Sequence, residues 1–139
     1  MIDIDNKTSF EVNETLLKKI VETLTDKNIE LIITSNSEIQ EINKEYRNID
    51  KPTDVLSFPY EEMPYAPLGS IVISHDMVIE KAKEFSHTHD NEFTLLFIHG
   101  LLHLLGYDHE VDSGEMRLKE EQIINQFKLP KSLIIRTQG

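Results

Sequence analysis

The chain has 139 residues, which suits one domain of ordinary size, and its 39% of hydrophobic residues can build a core, so a wholly disordered protein is excluded. A formal charge of −11 argues against a polyanion binder unless a local basic cleft overrides it. The absence of cysteine excludes disulfides, thiolate catalysis and cysteine-held zinc, so any metal must rest on His, Asp or Glu.

Ile2 and Ile4 alternate with Asp3 and Asp5, which predicts a short strand, and this start lacks the basic and apolar regions of a secretory signal. Asn13 is placed to cap a helix with Leu16, Leu17, Ile20, Val21 and Leu24 on one face. Asn28 closes it, and residues 29–34 read as a buried strand. Ser37 and Gln40 have the spacing of a capping box and open a helix carrying Ile39, Ile42 and Tyr46 on one face. A turn at residues 50–53 leads into a strand over 54–58 that Pro59 ends. Residues 61–67 form a loop and 69–74 another strand. Ser74 caps a helix with Val78, Ala82 and Phe85 inward. Asp90 caps the next helix, which runs to about Leu105 and stops at Gly106. Asp112 and Glu115 open a last helix through Phe127, and Pro130 stops it.

The order β-α-β-α-β-β-α-α-α predicts an α+β fold, with a small mixed sheet of about four strands covered by about five helices. No repeat or linker interrupts it, so residues 1–139 are expected to form one domain. The most apolar stretch, 93–105, holds two histidines and is shorter than the roughly 20 apolar residues that span a bilayer. A soluble cytoplasmic protein with no membrane partner is the expectation.

Three of the six histidines fall close together, as His99, His103 and His109. His99 and His103 are four apart on a predicted helix, so their rings share a face. Gly106 tolerates a sharp turn that brings His109 back to the same point. Three imidazoles with a fourth position open are the donor set of catalytic zinc. Leucines and phenylalanines surround the pair, and a polar ring buried there without a partner costs several kcal/mol, a cost that metal ligation answers. The spacing equals that of the metzincin protease motif, but the general-base glutamate of that motif is replaced by Gly100. Peptide hydrolysis therefore loses its base.

The run from His99 to His109 resembles the signature of the YbeY family of bacterial metal-dependent endoribonucleases. Asn43 to Arg47, Lys51 to Pro59, Leu68 to Ile71, and Glu115 and Met116 with Glu120 or Glu121 extend the resemblance over residues 43–121. It implies a zincin-like fold with a central metal-binding helix, His99, His103 and His109 as ligands to one Zn2+ ion, and Arg47 in the active site. It also implies a function in rRNA maturation and ribosome quality control. The implied partners are RNA of the small ribosomal subunit and ribosomal or assembly proteins, and no DNA. Ser70 departs from the family, which commonly has Asp there.

Read alone, Arg47 is either a phosphate-gripping guanidinium or a solvated arginine favoured by the helix dipole. Thr53, Asp54 and Ser57 are either cleft groups or turn residues. Asp108 is a candidate to orient a ligand ring or accept a proton. His75 reads as a first-turn surface residue, and His87 and His89 as an exposed loop pair.

The expected chemistry is single-strand-directed RNA cleavage. An ion lowering the pKa of water to near 7 would provide hydroxide, with Arg47 balancing the developing charge. Attack by the ribose 2′-OH is the alternative route. Lys44, Arg47, Lys51 and Arg117 could form a local basic strip. Nickel, copper or iron suit three imidazoles as well as zinc. Two other readings compete: a metallohydrolase of another substrate class, and a non-catalytic ribosome assembly factor whose metal only holds the fold.

Overall fold

The protein is described by a computed structural model covering residues 1–61, 63–108 and 114–133. Among these residues the elements run β1 (Ile2–Asn6), α1 (Glu14–Leu24), β2 (Ile29–Thr34), α2 (Asn36–Arg47), β3 (Val55–Pro59), β4 (Gly69–Ser74), α3 (His75–Phe85), α4 (His89–Leu104) and α5 (Glu115–Gln126). This is the expected α+β fold. The four strands form one mixed sheet in the order β1-β2-β4-β3. β1 and β4 run parallel to β2, and β3 runs antiparallel to β4 as an edge strand. Pro59 sits within β3, where an edge position tolerates its missing N–H.

Strand alternation sends side chains to two layers. Ile29, Leu31 and Ile33 of β2 and Ile71 and Ile73 of β4 face the main core, with Leu17 and Ile20 of α1 and Phe97, Ile98 and Leu101 of α4. On the opposite face Val72 and Leu56 pack under Ile39 of α2, with Ile32, Ile42 and Phe58 at the margin. α4 is buried on almost every side, as its dense leucines require. Among the described residues no helix is long and apolar enough to cross a membrane.

Several local expectations are corrected. α2 is capped by Ser35, whose hydroxyl accepts from Glu38 N, because β2 ends at Thr34 and the chain turns at once. Glu38 reaches Lys7 at 2.7 Å. α4 is capped by Thr88 rather than Asp90, which joins its first turn and favours the positive helix end. Tyr46 shares a helical spacing with Ile39 and Ile42 but is 66% exposed, and Phe85 is also exposed. Both lie in the last turn of their helices, past the surface that covers the earlier positions, which is the sheet for α2 and chiefly α4 for α3. His87 is not exposed: its side chain is 4% accessible against Glu92. His89 is exposed, as expected. His75 is half-buried, its ring 5.1 Å from that of Phe10. Asp112, offered as the cap of α5, lies outside the described residues.

Candidate metal centre and active site

Gly100 sets how α4 meets the sheet. A Cβ at this position would stand 2.9 Å from Ile71 Cγ2, 3.2 Å from Ser57 Oγ and 3.3 Å from Val55 Cγ2. The Ser57 hydroxyl donates to the Gly100 carbonyl at 3.0 Å. The residue where a protease would carry its glutamate is thus pressed against β3 and β4, with no room for a larger side chain.

His99 and His103 both lie to one side of Gly100 on the helix surface, and their rings point to a common spot. Their Nε2 atoms approach to 3.1 Å, with the rings 4.7 Å apart at 76°. The pair is not sealed in the core, for the His99 side chain keeps 30% exposure. Behind His99, its Nδ1 stands 3.0 Å from Oε1 of Glu120 on α5, a carboxylate with no exposure. A carboxylate accepts, so Nδ1 is the donor, and in the neutral ring Nε2 turns its lone pair toward His103.

Glu120 is the candidate site residue to which the sequence alone assigns no role. Its signal was there: Met116, Glu120 and Ile123 share one helical face, and the carboxylate stands where an apolar side chain is expected.

α4 ends as the sequence predicts. Gly106 adopts φ +99, and the Tyr107 N–H returns to the Leu102 carbonyl at 3.0 Å. Tyr107 and Asp108 then line the same cavity as the two histidines. His109 lies outside the described residues. Among the described residues no group of three His, Asp or Glu side chains gathers on one point.

That cavity, of about 390 Å3, runs along the open edge of β3. Its walls include Arg47, Asp54, Ser57, His99, His103 and Asp108. Ser74 N bonds to Asp54 O and Tyr60 N to Leu68 O, so the even-numbered residues of β3 face β4. The odd-numbered ones turn their backbone groups to the open edge. There Asp54 Oδ1 accepts from Val55 N at 2.8 Å, and Arg47 Nη2 donates to Ser57 O at 3.0 Å. Ser57 N–H points to the same edge. Arg47 is therefore positioned from α2, across the end of the sheet, and its Cζ lies 5.7 Å from the Phe58 ring centroid. Thr53 bonds to Asp54 at 3.4 Å and does not line the cavity. Of the proposed basic strip, Arg47 lines the cavity, whereas Lys44 stands 3.9 Å from Asp50 in solvent.

Ser70 pairs with Phe58 and projects from the face opposite Ile71, away from α4. A carboxylate there would not reach the histidines.

The donor set fits a borderline-soft divalent ion. Two nitrogens each about 2.0–2.1 Å from one tetrahedral ion lie about 3.3 Å apart. The observed separation of 3.1 Å is close to that. The carboxylate behind His99 is the support that metal-bound imidazoles ordinarily have.

The family model described as Endoribonuclease YbeY matches residues 2–128. The chain belongs to this family. It is 66% identical to "Endoribonuclease YbeY" of Aliarcobacter butzleri, over 98% of this chain and 99% of that one. It is 63% identical to the protein of that name in Sulfurimonas denitrificans over the whole of both chains, and 52% identical to that in Helicobacter pylori over 99% of each. The solution structure of a Thermotoga maritima protein superposes with a TM-score of 0.61 at 31% identity, over 99% of this chain and 92% of that one. The YbeY match takes in every residue of the cavity wall and Glu120.

Proposed function

We propose that this protein is a metal-dependent endoribonuclease that cuts single-stranded RNA during rRNA maturation in the cytoplasm, residues 1–139 forming one catalytic domain. One observation carries the reading: a single cavity is lined by two convergent imidazoles and a guanidinium. Membership of the YbeY family supports RNA as the substrate.

His99 and His103, joined by His109, would hold one zinc ion, with Glu120 fixing the His99 ring. When bound, the ion supplies Lewis acidity and lowers the pKa of water to near 7. Arg47 spends one of its five N–H donors on Ser57 O and keeps others for a phosphodiester oxygen. The Ser57 N–H adds a neutral donor on the same edge. Asp108 is the carboxylate that takes the proton from the attacking water or ribose 2′-OH. A 2′,3′-cyclic phosphate on the product would mark ribose attack.

The test is cleavage of a single-stranded rRNA fragment by protein of known metal content, before and after chelation. Chelation should abolish cleavage and zinc should restore it. Arg47→Ala should lower the rate about a hundred- to a thousandfold in a folded protein. Cleavage indifferent to chelation would sink the reading.

A further inference from the structure

The sheet face opposite α4 is only partly covered. One row across it is Asp3, Glu30, Ser70 and Phe58, set side by side by the strand register. The next row, Ile32, Val72 and Leu56, lies under α2. At the end of α2 the Tyr46 ring leans on Phe58, with centroids 5.4 Å apart at 60°. Most of that ring is still in water, at 66% exposure. Its hydroxyl has no hydrogen-bond partner among the described residues. Phe58 also touches the Arg47 guanidinium, which lines the cavity. An open aromatic surface is therefore continuous with the phosphate-gripping residue.

Charge makes this surface informative. The chain carries −11, and Arg47 is the one Lys or Arg among the described residues lining the cavity. Neutralising phosphates can supply little affinity to such a protein. Stacking of a base on an aromatic ring does not depend on the protein's charge and accepts every base. Asp3 and Glu30, at the far end of the same row, repel a phosphate backbone and confine it to the Phe58 end.

We infer that Tyr46, braced by Phe58, is a stacking site for one unpaired nucleobase of an RNA chain whose phosphate lies beside Arg47. The inference rests on the endoribonuclease reading and deepens it. A base inside a duplex has no free face to offer, so the site selects single strands.

The experiment uses the full chain and a single-stranded RNA carrying 2-aminopurine next to the cleaved phosphate, with an abasic version as control. Binding to wild-type protein should quench the fluorescence, and the abasic RNA should bind about tenfold more weakly. Tyr46→Ala should remove the quench and raise Kd and KM about tenfold, with kcat held within a few-fold. Tyr46→Phe should behave as wild type. The abasic comparison needs no variant, so it decides the matter even if Tyr46→Ala folds poorly. Equal binding of abasic and intact RNA, or full activity of Tyr46→Ala, would overturn the stacking site and leave the nuclease reading standing. Failure of wild-type protein to bind or cut any RNA would overturn both.

Discussion

Two histidine–carboxylate pairs in this molecule look alike and differ in their surroundings. His87 Nδ1 lies 3.2 Å from Glu92 Oε1, and His99 Nδ1 lies 3.0 Å from Glu120 Oε1. Both carboxylates have no exposure. The His87 side chain is 4% accessible and stacks on Phe85 at 6.2 Å, closing the corner between α3 and α4. The His99 ring is 30% accessible, and its second nitrogen meets that of His103 beside a cavity. A buried carboxylate behind an imidazole thus does not by itself distinguish the two pairs. What the other ring nitrogen faces does.

Breaking the carboxylates separately is the strongest test of that contrast. Glu120→Gln should weaken zinc binding about 10- to 100-fold, measured by competition with a chelator. Glu92→Gln should leave zinc affinity unchanged and lower only the urea midpoint. Equal losses of zinc affinity in the two variants would erase the distinction. Gly100→Ala probes how the His99–His103 pair is placed. Its added methyl group, 2.9 Å from Ile71 Cγ2, should cost about 1–3 kcal/mol in urea unfolding and push α4 away from β3. A variant as stable as wild type would show that the helix has slack there.

The smallest effect concerns a third histidine, His75, whose ring packs against Phe10. Burial, then the neighbouring His89, hold its pKa below the usual 6.5, against a smaller opposing pull from Asp76. The unfolded chain then binds a proton that the folded chain resists. Stability from this group is present above about pH 6.5 and is lost as pH falls toward the lower folded value. His75→Phe should flatten the decline in urea midpoint between about pH 7 and 5. An unchanged slope would place the pH dependence on other groups.

Much of the fold could be read from the chain. Alternation at Ile2 and Ile4, the helical stripe from Leu16 to Leu24, and Gly106 after α4 each encode local structure through neighbouring residues. Ser35 was passed over because Ser37 and Ser35 both head plausible caps, and the end of β2 chooses between them. Tyr46 and Phe85 fit an apolar stripe by spacing, yet nothing local reveals that the surface their helices pack on stops short of them. His87 does lie in a loop, but it looked exposed because its partner, Glu92, shows its burial only once α4 is packed.

The site divides along the same line. His99 and His103 are four residues apart in one helix, and that periodicity sufficed to put their rings on one face. Arg47, Ser57, Glu120 and the histidines come from four different elements, and no local signal places them together. The mixed sheet leaves β3 at its edge, and α4 crosses it at a glycine. That crossing decides which backbone groups and side chains border the cavity. Spacing fixes contacts within one element, whereas contacts between elements depend on how their buried faces fit.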